Sequence, residues 1–336
     1  MNRIFRLISI LFLLFQTGYS GEYADSFLEL GVSARALAMS NTLGSLDFSG
    51  TSFFSNPAGL SYLKNKYIGL MYTSQFGLAN HNYFGIAIPI SKNSSAALSW
   101  IRFGVDDIPI RPDILRQIPD QEMRKDSVAI LASLPLKTFQ DTENAIFFSY
   151  GKFMSKVINL GWRYSKFIVE IPFGINFKII HKKLYNLEAY GLGVDVGSRL
   201  RVNGEEIFDI RNLGNLSVGL SIRDVAGTTI YWNTKRQDVI CIGPVFSFAL
   251  EQPFKKWHMH LNIGMEKEYR YDDKFRYGAE IILYDQINLR TGLNKSGLTF
   301  GLGLNFKALK RLFCIDYAFL NHDLGASHRI GGGITL

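Results

Sequence analysis

The stretch Leu298-Thr299-Phe300-Gly301-Leu302-Gly303-Leu304-Asn305-Phe306 decides the fold class of this chain. Every second residue is large and apolar, and the residues between them are small or polar. Because successive side chains of a β-strand point to opposite faces, this stretch predicts a strand with one apolar and one polar face. The same alternation recurs at 190–202, 216–223, 257–266, 287–293 and 312–319. The body of the chain is therefore expected to be all-β.

The alternation divides the body into fifteen predicted strands. They cover residues 67–73, 82–90, 96–103, 144–153, 158–169, 172–181, 190–202, 216–223, 239–250, 257–266, 275–284, 287–293, 297–306, 312–319 and 327–336. A bacterial barrel with both chain ends on one side needs an even number of strands, so one of the fifteen is wrong. The suspects are the division of 158–181 and the first strand. The long connections are 104–143, 203–215 and 224–238.

The composition excludes several classes of protein. The 336 residues are 47% hydrophobic and 20% charged, which excludes intrinsic disorder. A disulfide-stabilised scaffold is excluded as well, because two cysteines can form at most one disulfide in a chain of this length. After residue 20 there is no long uncharged apolar run of the kind that a transmembrane helix needs. An aromatic content of 14% with 31 glycines favours β-structure with exposed aromatic faces.

Two architectures fit this pattern, a transmembrane barrel and a soluble periplasmic β-sandwich. The predicted strands approach the ~9–11 residues that cross a bilayer at a tilt, and the polar face is rich in glycine and mixed charge. Aromatic residues that suit the membrane interfaces recur near strand ends, at Tyr67, Tyr72, Tyr83, Trp100, Trp162, Tyr164, Tyr190, Tyr284 and Tyr317. We therefore favour a transmembrane antiparallel β-barrel in contact with outer-membrane lipid.

The N-terminus has the pattern of a secretory signal peptide. Arg3 and Arg6 precede the short apolar run 7–15, and Gly18 and Ser20 supply small residues at the expected cleavage site. An amphipathic anchor is the alternative interpretation. We predict a signal peptide at 1–20, an N-terminal hatch segment at 21–65 and an outer-membrane barrel at 66–336.

The stretch before the first strand does not alternate. Residues 33–39 are small and compatible with a helix, and the turn-forming set Asn56, Pro57, Ala58, Gly59, Leu60 follows. A segment of this kind predicts a plug inside the barrel. A periplasmic cap is the alternative.

Residues 27–39, FLELGVSARALAM, together with the NPAGL turn at 56–60 resemble the opening of FadL-type outer-membrane proteins, and especially their PorV/PorQ branch. The closing stretch, with DYAF at 316–319, DLG at 323–325 and HR at 328–329, resembles that branch too, as does 275–304. The chain departs from the branch at Ser40, where the family has glycine. The resemblance implies a barrel of about 14 strands plugged by an N-terminal hatch. It also implies one of two functions, passage of small hydrophobic molecules in FadL relatives or type IX protein secretion in PorV-type relatives.

Charged side chains fall on the polar face of the predicted strands. The candidates for the lumen are Asp195, Arg199, Arg201, Arg223, His260, Glu280, Arg290 and Asp316, with Arg163, Lys178, Glu266 and Arg276. A selectivity constriction is one interpretation. We favour structural ion pairs that fill the barrel, because charges in an occluded interior need partners. Arg35 of the hatch is expected to reach a lumen carboxylate, either Asp316 or Glu280.

No enzymatic motif is present, so we predict no catalytic residues and no cofactor. His258 and His260 lack further ligands at a metal-binding spacing, so no metal site is expected. Cys241 and Cys314 both fall on the predicted lumen face, where they are either bonded to each other or free. Basic residues form no run, so nucleic acid is not an expected partner.

The sequence thus predicts a non-enzymatic outer-membrane barrel that resembles PorV-type secretion and surface-export partners. Exposed apolar loop residues at 108–110 and 114–115 are candidates for binding secreted or surface proteins. The alternative is a FadL-like passive transporter of a small hydrophobic ligand, which needs an apolar pocket through the hatch.

Overall fold

The computed structural model describes residues 24–112, 117–132, 135–159, 161, 166–270, 275–322 and 325–336. The predicted signal peptide, together with Trp162, Arg163 and Tyr164, lies outside these residues.

The strands of the described part are β1 Tyr67–Gln75, β2 Ala79–Ser91, β3 Ser94–Pro109, β4 Thr138–Lys152, β5 Ser155–Asn159, β6 Lys166–Glu170, β7 Phe173–Leu184, β8 Leu187–Asn203, β9 Asn215–Arg223, β10 Thr228–Trp232, β11 Gln237–Ile240, β12 Gly243–Phe254, β13 Met259–Glu268, β14 Phe275–Leu283, β15 Ile287–Asn294, β16 Gly297–Ala308, β17 Arg311–His322 and β18 Gly325–Thr335.

The helices are short. They are α1 Ala34–Ala38, α2 Ser52–Ser55, α3 Gln121–Ala132 and α4 Gly204–Phe208, with 3₁₀ turns at Ser26–Leu30, Pro57–Tyr62 and Lys255–Trp257. Among the described residues, no helix has both the length and the apolar character to cross a membrane.

Fourteen of these strands close into one antiparallel barrel. The ring runs β1–β2–β3–β4–β7–β8–β9–β12–β13–β14–β15–β16–β17–β18, and β18 pairs antiparallel with β1. At the closure, Met71 of β1 lies opposite Gly331 of β18. Closure satisfies the backbone groups of every wall strand, as a hydrocarbon environment requires. The predicted barrel of about 14 strands is confirmed.

Two hairpins extend the wall without joining the ring. The pair β5–β6 contacts one end of β8, where Val169 lies opposite Val202. The pair β10–β11 contacts the other end, where Ile230 lies opposite Gly191. The predicted barrel strand at 158–169 is therefore wrong, and 67–73 is a wall strand. The error arose because a short hairpin has the same two-residue period as a wall strand.

The connections define two ends of the barrel. The end that carries Lys66 and Leu336 is called here the terminal end, and the end with connections 110–137 and 224–242 is called the loop end. The predicted connection 104–143 is too long, because β3 runs to Pro109 and β4 begins at Thr138. It contains α3, which the sequence interpretation missed.

The apolar face of the wall points outward. The side chains of Leu298, Phe300, Leu302 and Leu304 are 48–58% exposed, while Gly301 between them is buried. Large apolar side chains are exposed in the same way on strands around the ring, from β1 to β18. A soluble sandwich would bury this face, so the chain is a transmembrane barrel of the bacterial outer membrane.

Most of the predicted interfacial aromatics follow this arrangement. The exposed ones in the described part are Tyr72, Trp100, Tyr190, Tyr284 and Tyr317. Tyr83 is an exception, because only 3% of it is exposed and it packs in the interior. Tyr67 is the second exception, since it lines an internal cavity. Both lie on the inward face of their strands, so their assignment to the membrane interface is wrong.

Replacing Leu302 by arginine should destabilise the barrel by about 2–4 kcal/mol, because the charge would lie near the bilayer midplane. The same replacement at Leu298, one residue into β16, should cost about 0–1 kcal/mol, since its charge reaches the interface. Unfolding in lipid vesicles measures both values. A label at residue 302 should also be quenched by lipid-dissolved agents. Equal costs at the two positions, or quenching only by water-soluble agents, would refute the lipid-facing stripe.

Candidate functional site

The N-terminal segment, residues 24–63, lies against the inward face of the wall. Its helix α1 contacts β15–β18, and the turn Pro57–Tyr62 contacts β3, β4, β7 and β8 on the opposite side of the ring. It supplies many of the largest fully buried side chains, namely Phe27, Phe53, Met39, Leu43, Leu46 and Leu60. The segment therefore reaches from one wall of the lumen to the other.

Inward-facing glycines make room for this segment. A Cβ on Gly292 would lie 2.6 Å from the backbone nitrogen of Ser40. A Cβ on Gly301 would collide with the Cβ of Ala38, and one on Gly174 would collide with the backbone of Pro57. The sequence analysis placed these glycines on the polar face of the strands. The structure gives them a steric role there, because each lets the segment's backbone approach the wall.

The NPAGL turn is fixed by its asparagine. Asn56 Oδ1 accepts a hydrogen bond from the Ala58 amide at 3.1 Å, so it caps the turn that Pro57 begins. Asn56 Nδ2 donates to the Ser198 carbonyl of β8 at 3.1 Å. Within the turn, Gly59 is tightly enclosed by the Asp47 carbonyl and the Ser52 side chain, and Leu60 is fully buried. One side chain thus joins the turn to the wall.

A first charge network joins α1 to β14, β15 and β17. Arg35 makes two hydrogen bonds to the Glu280 carboxylate, at 2.7 and 2.9 Å. Arg290 bridges Glu280 at 2.6 Å and Asp316 at 2.5 Å. Burial disfavours the charged guanidinium of Arg35, but the Glu280 carboxylate more than offsets this and raises the pKa of Arg35. Arg35 therefore stays charged and anchors the segment.

A second network lies toward the loop end. Lys178 contacts Asp195 and Asp224, each at 2.8 Å. Arg270 contacts Asp224 at 2.7 Å and also pairs with Asp25 of the segment. All five side chains are less than one-tenth exposed. The segment is thus held by charge at this level as well.

Two further groups complete the charged interior. Arg201 pairs with Glu251 at 2.9 Å and with Glu170 at 3.2 Å. Arg223 pairs with Glu268 at 3.1 Å, and Arg276 bridges Glu266 and Glu268. Arg276 joins the neighbouring strands β14 and β13, whereas Arg201–Glu251 and Arg223–Glu268 each reach past one intervening strand, β9 and β12 respectively.

Arg199 has a different environment. It donates to the Asp47 carbonyl at 2.6 Å, and its guanidinium lies 5.4 Å from the Phe48 ring centroid. The structure thus places Asp195, Arg199, Arg201, Arg223, Glu280, Arg290 and Asp316 on the inward face. Sequence reasoning missed Asp25, Asp47, Asp224 and Arg270, which lie in the segment or beyond strand ends, where no alternation marks them.

The remaining candidates from the sequence, His260 and the two cysteines, form no ion pair in the buried networks described above. His260 lines a cavity at the terminal end and lies 3.7 Å from Asp285. Cys241 and Cys314 are both free. Cys241 precedes β12 rather than lying on it, so its predicted place on a lumen-facing strand is wrong. No cluster of three or more His, Cys, Asp or Glu side chains in the described residues is arranged to hold a metal.

Two cavities open at the terminal end, on either side of Arg35, Phe48 and Ser49. One measures about 600 Å³ and includes Arg201, Glu251 and His260 in its lining. The other measures about 450 Å³ and is lined in part by Glu280, Arg290 and Asp316. A third cavity, lined in part by Lys178, Asp224 and Arg270 toward the loop end, measures about 20 Å³. The two larger cavities thus lie at the terminal end, and charged and apolar side chains share the lining of each.

No protein-family model matches the chain, and no curated protein matches it. Solved structures with a similar fold include the toluene transporter TbuX of Ralstonia pickettii, at 9% identity and TM-score 0.44, covering 90% of this chain and 97% of that one. A FadL homologue of Pseudomonas aeruginosa is similar at 8% identity and TM-score 0.47, covering 90% and 96%. The translocator domain of autotransporter NalP from Neisseria meningitidis is similar at 12% identity and TM-score 0.34, covering 90% and 99%. At these values the likeness is one of broad architecture, and no property of those proteins follows from it.

Proposed function

We propose that this chain is a non-enzymatic outer-membrane partner in protein export, of the PorV/PorQ type, which binds exported proteins at its loop end. In this proposal residues 24–63 close the lumen permanently, and the barrel wall anchors the protein in the membrane. In this proposal the terminal end faces the periplasm, because the barrel wall begins at Tyr67 and ends at Thr335 there, whereas the longest connection, 110–137, lies at the opposite end.

The charge-filled interior is the observation that carries the proposal. Passage of a hydrophobic molecule needs an apolar path through the plug, whereas the networks around Glu280 and Asp224 lie between the plug and the wall at two levels. An apolar solute crossing there would have to separate buried ion pairs without replacing their contacts, which is energetically costly. A stationary plug needs no such step.

The loop end offers apolar surface that a protein partner could cover. Met123 and Ile130 of α3 are 64% and 65% exposed, and Ile110 before the helix is 36% exposed. Exposed apolar residues in a long connection at a barrel's outer end favour contact with another protein. The predicted contact residues at 114–115 lie outside the described residues.

A photo-crosslinking amino acid at position 123 tests this proposal in intact cells. It should yield adducts with proteins that carry export signals. The matched control is position 309, where Leu309 is 88% exposed in a turn at the terminal end. Adducts of the same exported proteins at both positions, or at neither, would contradict binding at the loop end.

The FadL-like alternative makes the opposite prediction. A passive transporter should co-purify with a hydrophobic ligand and should increase its uptake in cells, with no exported protein bound at position 123. Uptake of a labelled fatty acid or an aromatic hydrocarbon, compared between cells with and without the gene, measures this directly. Gene-dependent uptake without adducts would replace the proposed function by this alternative.

A further inference from the structure

We propose that the barrel holds a small monovalent anion, of the size of chloride, in a buried site formed by Arg329, Thr73 and His81. These three side chains are inward-facing neighbours on β18, β1 and β2. Arg329 lies directly opposite Thr73, and Thr73 lies directly opposite His81. Side chains paired in this way have Cβ atoms about 4.5–5.5 Å apart, which is close enough to share one ligand.

Two of these residues, Arg329 and Thr73, carry donors without an acceptor. Arg329 is 1% exposed, and Thr73 and His81 are 0% exposed. The Nε of Arg329 and the hydroxyl of Thr73 have no hydrogen-bond partner among the described residues, while the neutral His81 ring has a single N–H and lies beside the Gly31 backbone. Buried polar groups in native proteins are nearly always satisfied, so two orphaned donors on directly paired residues indicate a missing acceptor.

The charge of Arg329 also lacks compensation. No carboxylate of the described residues lies within 4.0 Å of it, whereas Arg290 and Arg270 each contact two. Its one hydrogen bond goes to the Ser33 carbonyl at 3.3 Å, a neutral acceptor. A buried guanidinium without a counter-charge is costly, and an anion beside Nε would remove that cost.

The surroundings limit what can bind. Ala318 and Phe103 end the row on either side, and the apolar residues Ala34 and Leu37 pack against Ala318. An enclosed site between apolar neighbours suits a single-atom ion better than a phosphate or a carboxylate ligand. Because Arg329 also holds Ser33, the anion would stabilise the N-terminal segment against β18. This inference does not depend on the proposed function.

Bromide is the direct probe for this site. Crystals of the full chain grown with sodium bromide should show an anomalous peak in contact with Arg329 Nε and Thr73 Oγ1. A water molecule at that position, seen as density without an anomalous peak, would overturn the proposal.

Thermal stability gives an independent measurement. At constant ionic strength, replacing gluconate by chloride should raise the melting temperature of the wild type by several degrees, because an ion that binds only the folded state stabilises it. Arg329→Gln should lose this rise, Thr73→Val should reduce it, and Arg102→Gln, a change at an exposed arginine, should keep it. An equal response in Arg329→Gln and the wild type would refute the site. If Arg329→Gln does not fold, the chloride-dependent rise in the melting temperature of Thr73→Val and the bromide peak still test the site.

Discussion

Deleting residues 27–60 should convert a nearly silent protein into an open channel in planar bilayers. The deletion removes the segment whose side chains fill the lumen, including Phe27, Phe53 and Leu60. A barrel of fourteen strands lies between the smallest barrels, which side chains fill, and the porins, which leave an aqueous channel. Its walls alone should therefore not close it, and the conductance of the deletion variant should be several times that of the wild type.

The control keeps the segment and fixes its position. Ser45 Oγ lies 2.7 Å from Ser247 Oγ of β12, so cysteines at these two positions should form a disulfide between plug and wall. This variant, with Cys241 and Cys314 replaced by serine, should remain silent in both oxidised and reduced form. A folded deletion variant that conducts no better than the wild type would show that the segment is not a plug.

Glu280→Ala should lower the free energy of unfolding by about 3–5 kcal/mol, because it leaves buried positive charge without its partner. Glu280 is 1% exposed and receives hydrogen bonds from Arg35, Arg290 and Asn262. Arg290 retains Asp316 in the variant, whereas Arg35 retains only Asp47 at 3.7 Å. The main loss should therefore fall on the anchor of the N-terminal segment. Denaturant titration in lipid vesicles measures it.

The matched control is Glu188→Ala. Glu188 also forms an ion pair, with Lys183 at 3.4 Å, but both side chains are well exposed. An exposed pair contributes about 0–1 kcal/mol, so this variant should unfold nearly like the wild type. Adding Arg35→Met to Glu280→Ala should recover part of the stability, because the orphaned charge is then absent. Equal losses at Glu280 and Glu188 would contradict a structural role for the buried network.

Local alternation was enough to predict the wall. Fourteen of the fifteen predicted strands coincide with ring strands, and the stripe at 298–304 points outward as expected. This worked because the two-residue period of a strand is a property of consecutive residues. The same locality explains the error at 158–169, since a hairpin beside the ring has the same period. Helix α3 was missed for a different reason, because residues 121–132 have only weak amphipathic patterning.

The contacts of the interior could not be read in the same way. Arg35 and its partner Glu280 are 245 residues apart, and sequence reasoning left Glu280 and Asp316 as equal alternatives. Asp25 and Arg270 are also 245 residues apart, and neither was a candidate. Which charges meet depends on where the segment crosses the lumen, and no local pattern encodes that path.

The sequence by itself therefore determined the strands, their two faces and the outward direction of the apolar one. Only the tertiary structure decided which strand closes on which, which glycines receive the segment, and that Arg329, Thr73 and His81 share one buried row. The physical reason is that side-chain alternation follows from the geometry of a single strand. The register of a closed sheet and the position of the N-terminal segment instead follow from contacts between residues that are distant along the chain.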